Sequence, residues 1–170
     1  MANTGQMLLV LGALVLFSIM LPSLNSTILY NDRTLIATNA ELAGISIAQK
    51  IIAEAGTKAF DVVCITSHPT SASQLTSPGN LGPAGGETYP NFNDLDDYHG
   101  LSIVDSLTLP SILFNISGQV NYVDPNNPSQ TVGYQTFLKR LQVSVTSPYL
   151  INPASEQPVT ITMEQIFAYY

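Results

Sequence analysis

Apolar side chains dominate the start of the chain, and charge arrives late. Met7 to Leu21 is apolar apart from Gly12 and Ser18, and the first charged residues are Asp32 and Arg33. The pattern then takes on a helical period. Leu35, Thr38, Leu42, Ile45, Gln49 and Ile52 recur at spacings of three and four, and Ala48, Ile51 and Ala55 broaden the stripe. Asp32, Arg33, Glu41, Lys50, Glu54 and Lys58 fall mainly off it. The spacing predicts one helix from about Gln6 to Phe60, fraying near Gly56. Pro22 should kink or locally unwind it, because proline removes a hydrogen bond and crowds the preceding turn. At ~1.5 Å per residue such a helix reaches roughly 80 Å, so its first half must project from any globule the remaining chain can form.

From 66 to 100 the chain is rich in Gly, Pro and polar residues, including SPGNLGPAGGETYPNFNDLDDYHG. A loop of this length is expected to wrap over a sheet or to pack on a neighbouring subunit. Strand-like alternation follows. Phe114, Ile116, Val120 and Tyr122 share one face of FNISGQVNYV, opposite Asn115, Ser117, Gln119 and Asn121. DPNNPSQTVG reads as a turn or short loop. FLKRLQVSVT then sets Leu141, Val143 and Val145 opposite Arg140, Gln142 and Ser144, and VTITMEQIF alternates Val159, Ile161 and Met163 inward. Three such strands predict an antiparallel meander with one apolar face. The expected fold is therefore α+β: a long N-terminal helix kinked near Pro22, its lower half packed on a small antiparallel β-sheet. The expected division is an apolar helix over 1–27 and a head over 28–170. Within the head lie an amphipathic helix at 28–60, the loop at 66–100 and the meander at 101–170.

Composition narrows the classes of function. The 170 residues are only 10% charged, against ~25% in ordinary soluble domains. A surface covered by a membrane or by other copies of the chain accounts for so little charge. The net charge of −7 disfavours nucleic acid as a partner, which needs a basic footprint. A single cysteine, Cys64, excludes an internal disulfide framework and a multi-cysteine zinc site. The opening stretch lacks the basic flank and small-x-small site of a secretory signal, so a cleaved secretory peptide is not expected. An uncharged stretch reaching Asn31 allows a tilted membrane span.

With these features the chain resembles a type IV pilin. MANTG-QMLLVLG is similar to a short prepilin leader ending in glycine, which makes Gly5 the candidate cleavage point. The resemblance implies helix-breaking roles for Gly12 and Pro22. FNISGQVNYVD, FLKRLQVSVTSP and PVTITMEQIFAYY are similar to consecutive strands of pilin-like proteins. NFNDLDDYHGL is similar to a stretch in minor pilins of the mannose-sensitive haemagglutinin pilus system. Two departures stand out: the leader has no Lys or Arg, and Val10 stands where the family carries a glutamate that meets a neighbour's N-terminal amine. Without leader cleavage that amine would not exist, and a buried unpaired glutamate would carry several kcal/mol of desolvation. A divergent subunit is the expectation, with cleavage after Gly5 and assembly without cleavage both open.

The chemistry-bearing residues admit plain readings. Asp94, Asp96 and Asp97, with Asn91 and Asn93, are an oxygen-rich candidate for calcium, the alternative being a turn with capping aspartates. No other cofactor is expected. Cys64 and His68 are four apart, but VVCI reads as an apolar strand in which cysteine is a small buried hydrophobe, and His99 reads as a turn residue. With no nucleophile elbow, P-loop or dinucleotide fingerprint, an enzyme is not expected. Asn25 and Asn115 head glycosylation-type triplets.

The sequence therefore points to a structural subunit of an extracellular filament, pooled in the cytoplasmic membrane before assembly. Its core would be packed by Leu8, Leu9, Leu11, Leu14, Leu16, Phe17 and Ile19. The partners implied are identical subunits, the lipid bilayer and an inner-membrane pilus assembly machinery. The alternatives are a minor pilin or pseudopilin of a short pseudopilus, or a monomeric membrane-anchored binding domain.

Overall fold

The computed structural model describes residues 3–170. The fate of Met1, open on the sequence, lies outside them. One helix, α1 (Thr4–Ala55), spans 52 residues, a length of about 80 Å. It is followed by a single turn, α2 (Val63–Thr66), and by five strands: β1 (Ser102–Asp105), β2 (Phe114–Asp124), β3 (Asn127–Thr131), β4 (Leu138–Thr146) and β5 (Ile161–Ala168). The sheet runs β1-β2-β4-β5, every pairing is antiparallel, and β3 pairs with the end of β2. A long apolar N-terminal helix packed on an antiparallel sheet is a pilin-like architecture.

Strand parity builds the core. Phe114, Ile116, Val120 and Tyr122 are buried on β2, facing the row Lys139, Leu141, Val143 and Val145 of β4. The register sets Ile116 opposite Val145, Val120 opposite Leu141 and Tyr122 opposite Lys139. On β5, Ile161 and Met163 continue the inward row at its partly covered margin. Val159, expected on the same row, precedes the strand and is 38% exposed; its N–H donates instead to the carbonyl of Leu150. The stretch expected to be a turn after Asp124 contains β3, since a tight reversal at Pro125 and Asn126 lets residues 127–131 pair back onto β2.

α1 meets the sheet mainly through small residues; this bears out Ala48, Ile51 and Ala55 of the expected stripe and corrects the rest of it. The buried positions are Ala37, Ala40, Ala43, Gly44, Ile47, Ala48, Ile51 and Ala55, whereas Leu35 and Leu42 are each 61% exposed. A face of alanine and glycine brings the backbone close to the strands, and bulkier side chains are turned away from it. At Gly44 a Cβ would stand 2.5 Å from the Cδ1 of Ile161. Pro22 lies inside α1 without ending the helical assignment, so the local unwinding allowed there does not occur.

The stretch 66–100 is irregular but packed. Single 3₁₀ turns at Ala72–Gln74, Pro78–Asn80 and Asp96–Tyr98 punctuate it. Leu75, Phe92, Leu95 and Tyr98 are buried. Glu54 of α1 accepts from the hydroxyls of Tyr89 (3.0 Å) and Tyr98 (2.9 Å), which ties the loop to the helix end. Burial, followed by the bond to Glu54 and its charge, pushes the Tyr89 phenol up to about 12. Cys64 falls in the turn α2, not in a strand, and is half-buried.

Candidate assembly surface and a buried charge cluster

Among the described residues, the projecting part of α1 has no partner. Every position from Asn3 to Arg33 is exposed, and the first buried helix residue is Ala37. The seven expected core residues, Leu8, Leu9, Leu11, Leu14, Leu16, Phe17 and Ile19, all stand in the open, together with Met7, Val10, Val15, Met20 and Leu21. These positions cover the full circumference of the helix. A helix that is apolar all round is stable only inside a larger apolar environment. Among the described residues α1 is the one helix long and apolar enough to cross a membrane, and none of its most apolar window is buried. Such a helix indicates membrane insertion or secretion.

Three of its hydroxyls bond back to the helix. Ser18 Oγ donates to the carbonyl of Leu14, and Ser26 Oγ and Thr27 Oγ1 both donate to that of Ser23, each at 2.9 Å. Hydroxyls satisfied on their own helix need no water, as a segment placed in lipid or in a packed bundle requires. Gly5 and Gly12 are both helical, with open space where a Cβ would stand. Asn25 lies within the exposed helix and Asn115 on the outward face of β2.

Of the two readings of the acidic knot, its hydrogen bonds fit the turn with capping aspartates. Asp97 Oδ2 accepts from the backbone N–H groups of Asn93 and Asp94, and Asp94 Oδ1 accepts from that of Asp96. These are the bonds of capping aspartates. Among the described residues no group of three His, Cys, Asp or Glu side chains is placed to hold a metal ion. Burial, followed by the charge of Asp97, pushes the Asp94 carboxyl up to about 6.

Asp96 belongs to another constellation, one that the pattern of the loop did not reveal. Lys139 is fully buried and projects from β4 into the core. Its Nζ lies 2.8 Å from Asp61 Oδ2 and 2.5 Å from Asp96 Oδ1, and it donates to the carbonyl of Phe60 at 2.9 Å. The rings of Phe60 and Tyr122 flank the ammonium, with centroids 4.5 and 5.1 Å away.

The two carboxylates are not equivalent. Asp61 also accepts from the N–H of Val63 and from the N–H and hydroxyl of Thr76. Burial alone would raise its pKa, but the bond and charge of Lys139 and these donors hold it below the ordinary value. Among the described residues the Asp96 side chain has Lys139 alone, and its Oδ2 is buried with no hydrogen-bond partner. Burial pushes its carboxyl up to about 7 against the opposing pull of Lys139, and the charges of Asp61 and Asp94 add to the rise. Lys139 was findable in principle, because it has the same parity as Leu141, Val143 and Val145.

Comparison with protein families, with curated proteins and with solved structures finds no match to this chain.

Proposed function

We propose that the chain is the structural subunit of an extracellular type IV pilus-like filament. It would wait in the cytoplasmic membrane, with its apolar helix in lipid, and then exchange lipid for the helices of identical subunits. No catalytic step is assigned to it. The reading rests on one observation: a helix apolar around its whole circumference projects from a folded head and is covered by none of the described residues. A monomeric anchor would also bury that helix in lipid. The low density of charged residues, 10% of the chain, favours the polymer, because it fits a surface covered by other copies. Head-to-tail contacts that do not close on themselves yield open helical polymers.

Replacing Leu14 or Phe17 with Asp places a carboxylate in that core, where burying it unpaired costs several kcal/mol. Each variant is expected to leave the head folded and to remove the chain from material sheared off the cell surface. Sheared filaments containing the variants in wild-type amounts would refute the core assignment. Wild-type protein confined to membranes, with no polymer, would favour the monomeric anchor instead.

A further inference from the structure

The cluster of Lys139, Asp61 and Asp96 holds more than an ion pair needs. One buried amine meets two buried carboxyl groups, and the two have opposite surroundings. An ordinary buried salt bridge is stable when every remaining lone pair finds a donor. Asp61 meets that condition with three further donated bonds. Asp96 does not, because its Oδ2 is orphaned in the core while its Oδ1 is 2.5 Å from Nζ. The three residues come from distant parts of the chain, so folding alone assembles them.

We propose that this cluster is a self-modification site, at which the Lys139 amine and the Asp96 carboxyl condense to an intramolecular isopeptide bond with Asp61 as proton acceptor and relay. The Lys139 ammonium gives a proton to the Asp61 carboxylate, which its backbone donors keep ionised. The free Nζ lone pair attacks Cγ of the neutral Asp96 carboxyl, and the Nζ–Cγ bond forms. The carbonyl π pair moves onto Oδ1, giving a tetrahedral intermediate. Nζ loses its second proton, and Oδ2 takes up a proton through Asp61 and leaves as water. The product is a neutral secondary amide plus one water; of the two protons Nζ gives up, one leaves in the water and the other stays on Asp61, which ends as the neutral acid until it returns that proton to solvent, and nothing is oxidised or reduced.

Three features favour the reaction. Amine and carboxyl are held in contact by the folded core, so a bimolecular encounter becomes an intramolecular one. The aromatic walls of Phe60 and Tyr122 keep the site dry, which disfavours hydrolysis of the product. Amide formation also removes the buried ionisable group whose second oxygen is unpartnered. The bond would lock the 3₁₀ turn of Asp96–Tyr98 onto the central strand β4.

The test is mass spectrometry of the full chain, purified in detergent and shown by circular dichroism to be folded. The chain has five basic residues, Arg33, Lys50, Lys58, Lys139 and Arg140. Trypsin should therefore release Asp61, Asp96 and Lys139 in one peptide beginning at Ala59. With the bond formed, Lys139 is no longer a cleavage site. The peptide then runs to Arg140 and is lighter than its sequence by one water, with fragmentation linking Asp96 to Lys139. Asp96→Ala should restore the full mass and cleavage after Lys139. Asp61→Asn should slow the appearance of the linked peptide about a hundredfold after synthesis. A folded wild-type chain giving this peptide at its unmodified mass would overturn the proposal, as would a missing water that maps to any pair other than Asp96 and Lys139. Because the readout is on the head alone, it stands or falls independently of whether filaments form.

Discussion

At Asp94 a buried carboxyl titrates far above its ordinary range, and this makes the stability of the head depend on pH. Its folded value, about 6, lies above the ordinary 3.8 because burial and the charge of Asp97 disfavour the anion. Between these values the folded chain binds more protons than the unfolded chain. Stability is therefore greatest at the acid end and falls as pH rises from about 4 to about 6, by on the order of 3 kcal/mol. Asp61, with its lowered value, acts with the opposite sign only below its ordinary range. Urea denaturation of the full chain in detergent between these pH values checks the slope, and Asp94→Asn should flatten it. With Asp96 held as an amide the decline ends near pH 6; a free Asp96, at about 7, would prolong it. Gly118 is a second sensitive position. A Cβ there would meet the carbonyl oxygen of Tyr98 at 2.6 Å and Leu101 Cβ at 3.1 Å, while Gly118 exchanges backbone bonds with Gly100 and Leu101. Gly118→Ala should destabilise by about 1–3 kcal/mol, read as a lower urea midpoint.

At the scale of elements, legibility followed the physics of each pattern. β2 and β4 could be read from alternation because one face is buried and the other wet, and their inward residues are those expected. β3 was hidden because Asn127, Pro128, Ser129, Gln130 and Thr131 carry no apolar signal; it pairs with β2 at the edge and its residues are mostly exposed. The existence of α1 was equally clear, but its packing face was not. Periodicity counts bulk and so marks Leu35 and Leu42 as the core side, whereas the sheet requires close approach and selects Ala37, Ala40, Ala43 and Gly44. The distinction is testable in the denaturation of the full chain. Ala40→Leu places bulk against a sheet that leaves it no room and should cost about 1–3 kcal/mol. Leu42→Ala, on the open side, should stay within about 0.5 kcal/mol. The loop was legible as a covering segment but not in its contacts, because the partners of Tyr89, Asp96 and Tyr98 are dozens of residues away along the chain. The same distance kept the charge cluster out of view, even though the inward parity of Lys139 was written in β4.

For the whole molecule, two halves with opposite requirements share one helix. The head covers its own apolar surface, with a packed sheet, a small-residue helix face and an internally bonded loop. The projecting half satisfies nothing and carries no charge before Asp32. Its length from Thr4 to the first buried residue at Ala37 is roughly 50 Å, more than the ~30 Å of a bilayer core. A single helix can therefore sit in lipid while the head stands clear of the surface. The same helix can lie among its copies with the heads outside. The measurement that tests this account most directly is a helical reconstruction of filaments sheared from cells expressing the chain. The account predicts a polymer of this subunit with the Met7–Leu21 segments bundled at the axis and the sheets facing solvent. A filament of this chain with those segments exposed at its surface, or with the sheet edges as the sole contacts between subunits, would contradict it.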